Sequence, residues 1–297
     1  MQPPPHPDRR ERRIGYASAC AVLALWTGFL VFSRMSVRQD FTAWDVAALR
    51  YAGSFMVALP LVLWLGLPRL PPRRVAALVA SASFGFPLLA YLGFGMAPAA
   101  HGGVLMPGTL PFMTAALGAV VLAEDWTRRR LLSLGVVALG IALLALDTFG
   151  AHPGAWRGDL LFLAAGASWA VYTVLVRLWG IGAMPATLLL ALVPAPLYLP
   201  VWWLLLPSNL HAVPLGAAAF QFVWQGAFAT VLAGFLFTRA VAAIGAARTT
   251  TITALTPALA ALAAWPLLGE ALGLAGLAGV AMVSAGMILG VVTPRRR

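Results

Sequence analysis

The segment from Ala246 to Gly290, AARTTTITALTPALAALAAWPLLGEALGLAGLAGVAMVSAGMILG, has a divergent second copy in the same chain. The copy runs from Gly102 to Leu144 and reads GGVLMPGTLPFMTAALGAVVLAEDWTRRRLLSLGVVALGIALL. Pro111 stands 13 residues before Glu124, Pro257 stands 13 before Glu270, and Gly140 and Gly286 correspond under the same offset of 146. A small-residue, Leu-rich run fills each Pro-to-Glu interval, and another apolar run follows each Glu. A period of half the chain marks a duplication rather than a solenoid.

The echo reaches further out. Ala24-Leu25-Trp26 to Arg34 aligns with Ala167-Ser168-Trp169 to Arg177, with a Trp-to-Arg spacing of 8 in both. The chain therefore divides into two related halves, 14–148 and 158–292, each of five apolar segments.

Hydrophobic residues make up 61% of the sequence, charged residues 10%, and the mean hydropathy is +0.89. A soluble domain carries about a quarter charged residues, so a water-exposed surface cannot be assembled from this composition. An apolar run of about 20 residues crosses the hydrocarbon as a helix. Ten such runs can be placed, at 14–33, 44–66, 75–95, 99–122, 131–148, 158–179, 184–206, 216–238, 246–268 and 271–292. The alternation of a membrane barrel is absent, and the backbone must satisfy itself within helices. The expected fold is an all-α integral membrane protein of ten transmembrane helices.

All 20 basic residues are Arg, giving a net charge of +11. With an inside N-terminus, 16 fall in cytoplasmic segments, Arg34, Arg38 and Arg157 fall outside, and Arg50 lies within a span. That asymmetry orients the chain with both termini cytoplasmic, so the charge does not point to nucleic acid. Residues 1–13 read as a disordered cytoplasmic tail, 149–157 as an outer linker and 293–297 as a basic cytoplasmic tail. The first apolar run is too long, with its small residues at the wrong end, for a cleaved signal. Asp45 is a plausible cap of the second span, and Pro98 fits the first turn of the fourth. With five spans per half, the second half enters from the opposite side. This inverted repeat is an arrangement common among secondary transporters.

The whole arrangement resembles the EamA-type transporters of the drug/metabolite transporter superfamily. The resemblance rests on Trp26 and its mate Trp169, on Arg50 early in the second segment, and on the paired endings Pro111…Ala123-Glu124 and Pro257…Leu268-Gly269-Glu270. It implies a secondary transporter of small metabolites, amino acids or drug-like solutes in the cell membrane, exporting or exchanging them by alternating access of the two repeats. Small multidrug members of that superfamily use a first-helix carboxylate for proton exchange, and Ile14 to Ser33 contains none.

Candidate cavity-lining residues follow from chemistry at depth. Pro107, Pro111 and Pro257 each free a carbonyl four residues earlier, namely those of Gly103, Pro107 and Thr253, which suits either a lined cavity or a static kink. Thr249, Thr253 and Thr256 share one helix face by spacings of 4 and 3, suited to a solute or to helix–helix hydrogen bonds. Arg50 can bind an anionic group through its planar fork, or snorkel outward and pair with Asp45. Trp26, Tyr91, Trp169 and Tyr172 are aromatics well inside their spans, for which membrane-facing packing is the alternative. Gln225, one turn from Gln221, is polar enough to face inward. His101 reads as an edge residue, and Glu124 and Glu270 as helix boundaries. Gly286 and Gly290 suggest close packing with a neighbouring helix.

A membrane-embedded enzyme is the competing class, but no HExxH or aspartate-rich motif is present and three of the four His fall outside the spans. A channel is a third reading, without a ring-forming selectivity motif. No catalytic residues, metal site or cofactor are expected. The single Cys20 provides no disulfide framework, and the absence of Lys rules out a GxxxxGK[ST] nucleotide loop. The expected partners are a small-molecule substrate and the lipid bilayer, with monomer and homodimer both open.

Overall fold

The computed structural model describes residues 9–66, 69–122, 127–151 and 154–291, and all regular structure among them is helical. The helices are α1 (Arg9–Val37), α2 (Ala43–Leu65), α3 (Pro72–Phe94), α4 (Ala99–Leu122), α5 (Arg128–Ala151), α6 (Trp156–Leu178), α7 (Ala183–Leu205) and α8 (Leu215–Ile244). They are followed by α9, in two pieces (Ala246–Thr253 and Thr256–Leu268), and α10 (Leu274–Val291). The middles of α3 (Val79–Gly85) and α8 (Phe222–Leu232) are wound in wider π-type turns. Among the described residues, eight helices are long and apolar enough to cross a membrane; α10 is a shorter apolar helix. The chain is a multi-pass helical membrane protein.

Several boundaries move from their sequence positions. The first helix begins at Arg9, so Arg9 to Arg13 extend α1 instead of belonging to a tail. Arg and Glu are good helix formers, and Glu11 is fixed by an ion pair with Arg239 of α8 at 2.8 Å. α8 runs on to Ile244, past the expected end at 238. α5 reaches Ala151 and α6 starts at Trp156, which shortens the linker; Gly154 turns there with φ +89°. α10 starts at Leu274 rather than 271. Glu124, residues 1–8 and the tail 293–297 lie outside the described residues.

The start of α2 is a capping box with different roles from those expected. Thr42 is the cap, accepting from the Asp45 backbone N–H at 3.1 Å, while the Asp45 carboxylate accepts from the Thr42 backbone N–H at 3.2 Å. Pro98 likewise precedes α4 and caps it through its carbonyl, which accepts from His101 and Gly102.

The two halves interleave. α1 packs against α8 and α9 of the second half, and α6 packs against α3 and α4 of the first. α5 and α10 form the tightest pair in the bundle, and small residues make it possible. A Cβ on Gly140 would meet the Gly279 carbonyl and Val283 at 2.8 Å; one on Gly286 would meet Val137 at 2.6 Å and the Ser133 carbonyl at 3.1 Å. Ser133 Oγ donates to the Gly286 carbonyl at 2.7 Å, and Gly290 also faces Ser133. Residue numbers rise along one helix as they fall along the other, so the pair is antiparallel. Under the offset of 146, Ser133 corresponds to Gly279, Val137 to Val283 and Gly140 to Gly286. Each contact of Gly140 thus has its counterpart at Gly286. α2 and α8 also meet backbone to backbone, a Cβ on Gly226 falling 2.6 Å from Gly53 and from the Ser54 nitrogen.

Candidate functional site

The second span carries a cation into the bundle. Arg50 is half-buried, with its guanidinium carbon 5.4 Å from the centre of the Phe29 ring of α1. It lies beside the Tyr91 hydroxyl of α3. Its Nη1 is buried without a hydrogen-bond partner. The ion pair with Asp45 is not formed. Asp45 is fully buried and turns to the α7–α8 connection, accepting from Trp202 Nε1 (3.1 Å), Ser208 Oγ (2.6 Å) and the Asn209 N–H (3.0 Å) besides Thr42. Five donors saturate that carboxylate and tie the start of α2 to the end of α7.

Around Arg50 is a polar network through three helices. Tyr91 donates to Gln225 Oε1 at 3.2 Å; Gln225 Nε2 donates to Ser33 Oγ and to Gln221 Oε1, both at 3.1 Å; Gln221 Nε2 donates to the Phe32 carbonyl at 3.0 Å. Ser33 in turn donates to the Phe29 carbonyl. Both glutamines are fully buried. Such burial is stable only because each amide finds partners. The wide turns of α8 carry Gln225 and the backbone around it, with Thr230 Oγ1 donating to the Gln225 carbonyl at 2.7 Å.

An aromatic chain continues from the same point. Phe29 lies 5.9 Å from Phe86 and 6.1 Å from Tyr91, Phe86 lies 4.9 Å from Trp169, and Trp169 lies 4.9 Å from Tyr172. The structure thus brings together Arg50, Tyr91, Trp169, Tyr172 and Gln225 from the sequence candidates, and adds Phe29, Ser33, Phe86 and Gln221. Trp26 stands apart, stacked on Phe237 of α8 at 5.5 Å. Its placement mirrors that of Trp169: each first-helix Trp of a half rests on a Phe from the third helix of the other half.

The prolines and threonines behave differently. α4 runs unbroken through Pro107, which is half-buried, and Pro111 lies within it by backbone position. α9 does break, at Ala254-Leu255, with Pro257 buried at the start of its second piece. The freed Thr253 carbonyl is taken by Thr256 Oγ1 at 2.6 Å. Thr249 donates to the Gly245 carbonyl at 3.0 Å and Thr253 to the Thr249 carbonyl at 3.2 Å. The stripe is buried, yet each hydroxyl returns to its own helix, which describes a satisfied kink. A Cβ on Gly103 of α4 would lie 3.7 Å from Pro257 Cα and 3.2 Å from Ala260, so α4 and α9 touch here. A cavity of about 430 Å³ lies elsewhere, among Leu105, Ile141, Leu144, Trp156, Asp159 and Leu163, and contains none of the candidates.

Two polar features lie outside the candidate set. Gly269, in the left-handed conformation (φ +63°), ends α9 and aims Glu270 back into the bundle. Its carboxylate, with the side chain 9% exposed, holds Arg34 Nε at 2.7 Å, Arg38 Nη2 at 3.4 Å and the Ala99 N–H at 2.9 Å. Arg34 also donates to the Phe94 carbonyl and Arg38 to that of Leu268. One carboxylate thereby joins the ends of α1, α3 and α9 to the start of α4. The Leu268-Gly269-Glu270 triplet was the sequence signal for it. Second, His101 is fully buried and its Nδ1 lies 2.9 Å from Asp159 of α6, so it is no edge residue. Among the described residues, no group of three or more His, Cys, Asp or Glu is placed to hold a metal ion.

Duplicated, interleaved halves around buried polar and aromatic groups define a polytopic membrane protein of internal-repeat type. The sequence profile of the EamA-like transporter family matches residues 13–146 and again 156–292. The chain belongs to that family, within the drug/metabolite transporter superfamily. No curated protein matches it. Among the solved structures that match is a crystal structure similar at a TM-score of 0.63 and 20% identity, over 94% of this chain and 96% of that one, a likeness of fold alone.

Proposed function

We propose that the chain is a secondary transporter moving a small metabolite, amino acid or drug-like solute out across the cell membrane by alternating access of two inverted five-helix repeats. One observation carries the reading: α5 and α10, equivalent helices of the two halves, cross antiparallel in matching register, Val137 with Gly286 and Gly140 with Val283. Equivalent helices running in opposite directions are what inverted repeats require, and such repeats place the solute between them. In this reading α4 and α10 also cross, giving ten spans with both termini cytoplasmic, and the chain has no catalytic role. The solute site is the Arg50–Tyr91–Gln225 cluster with the aromatic chain from Phe29 to Tyr172. Both repeats lie in one chain, so a single copy is the transport unit.

The test begins with cells carrying or lacking the chain, compared for metabolites inside and outside. A solute whose distribution shifts is then followed in proteoliposomes against a gradient of the same solute. Counterflow above that of protein-free liposomes is expected; its absence for every shifted solute rejects the transporter reading.

A further inference from the structure

The cluster contains one group whose chemistry is incomplete. Arg50 carries a charge it cannot lose, since a guanidinium stays protonated in proteins, and one of its terminal nitrogens is buried with nothing to donate to. Leaving a buried donor of a charged group unmatched is costly, and a guanidinium within a membrane span more so. No carboxylate among the described residues compensates it. Asp45, the nearest in sequence, is saturated by five donors. Glu270 is held by Arg34 and Arg38, Asp159 by His101, and Glu11 by Arg239. The described groups that interact with Arg50 include the Phe29 ring face and the Tyr91 and Tyr51 hydroxyls, none of them an anion.

We propose that Arg50 holds the carboxylate of a monoanionic organic acid whose apolar body is an aromatic ring. The proposal rests on the reading of this cluster as the solute site. A carboxylate fits because its two oxygens match the parallel N–H donors of the fork. A single negative charge fits because, among the described residues, Arg50 is the one cation at the cluster. The other polar groups, Tyr91, Gln225, Gln221 and Ser33, are neutral and already joined to one another. A phosphate dianion would bury a second charge without compensation. The ring follows from the walls. Beside the guanidinium, Phe29 is flanked by Tyr91, Phe86 and Phe94 at 6.1, 5.9 and 6.3 Å, offering edges and faces of the kind aromatic rings pair with.

Benzoate, benzamide, benzylamine and inorganic phosphate serve as probes on the purified full chain in lipid nanodiscs, with the thermal unfolding midpoint read against concentration. Benzoate is expected to raise the midpoint saturably. Benzamide, nearly the same shape without the charge, is expected to need about tenfold more or to fail, the loss of one charge-assisted hydrogen bond. Benzylamine and phosphate should not stabilise. Arg50→Lys should weaken the benzoate response about tenfold, because the point charge stays and the fork is lost, and Arg50→Gln should abolish it. Equal responses to benzoate and benzamide, a stronger response to phosphate, or an unaltered response in either variant overturns the proposal. If both variants fail to fold, the benzoate–benzamide comparison on the unaltered chain still decides it. Binding here needs no transport: benzoate protection without flux of any solute rejects the transporter reading alone, and flux of neutral or cationic solutes without benzoate protection rejects the anion site alone.

Discussion

Replacing Glu270 by Gln tests whether the carboxylate at the end of α9 holds four helix ends together. Gln keeps the length and one acceptor oxygen but removes the charge. The strongest interaction it removes is the 2.7 Å ion pair to Arg34, whose side chain is 20% exposed against 9% for Glu270. Arg38 is 48% exposed and its 3.4 Å approach to the carboxylate is screened by solvent, so it adds little. A charge-assisted hydrogen bond with limited exposure contributes about 1.5–3 kcal/mol. The remaining acceptor oxygen keeps part of the Ala99 hydrogen bond, so the expected destabilisation is about 2 kcal/mol. If it falls on local opening, amide exchange there accelerates about thirtyfold. Hydrogen exchange read by mass spectrometry should show this at the Ala99 N–H, which Glu270 accepts, and at the end of α9. The α5–α10 interface should be unchanged. Arg38→Ala should move the same amides by less than about threefold. Exchange at Ala99 within about threefold of the original in Glu270→Gln would mean the clamp follows from the packing of these helices and does not hold it.

Gly226→Ala places a methyl 2.6 Å from the Gly53 backbone, which cannot yield as a side chain would; the expected loss is about 1–3 kcal/mol in thermal or denaturant unfolding. Gly135→Ala, where an added Cβ meets nothing within 4 Å, should be neutral or gain up to about 1 kcal/mol from helix propensity, and equal effects at the two sites would refute the close approach of α2 and α8. Reporter fusions after Arg130 and after Arg297 should report cytoplasm and a fusion within Ala151–Ala155 the outer side, from the Arg asymmetry; an outward C-terminus would remove the inverted repeat.

The duplication was legible because it is written in residue types with few substitutes. Gly140 and Gly286 must lack a side chain where two backbones approach, and the same offset that relates them in sequence relates their contacts in space. Helix ends were less legible. Arg9 to Arg13 are too polar for an apolar window, yet they extend α1, because Arg and Glu are good helix formers and Glu11 among them meets Arg239 of α8. Arg239 ends the apolar run of α8 but not its backbone. Asp45 resembled a cap by type; which residue caps is set by local torsion angles, and Thr42 has the extended ψ of 156°.

Arg50, Tyr91 and Gln225 could be singled out because polarity at depth is rare and demands an explanation. Phe29 and Phe86 could not, because in a helix apolar on every side no periodicity distinguishes a bundle-facing ring from a lipid-facing one. Trp26 illustrates the same ambiguity in reverse. Glu270 was visible as part of a repeated triplet, but its meaning depends on Arg34, 236 residues away in the chain. The Thr stripe shows the limit of reading polarity as function: a hydroxyl on a helix can always return to a carbonyl one turn back, and all three here do so. Arg50 Nη1, in contrast, is buried and finds no acceptor among the described residues. For that reason the unpartnered Nη1 of Arg50 carries more weight than the three buried hydroxyls as a candidate point of contact for a ligand.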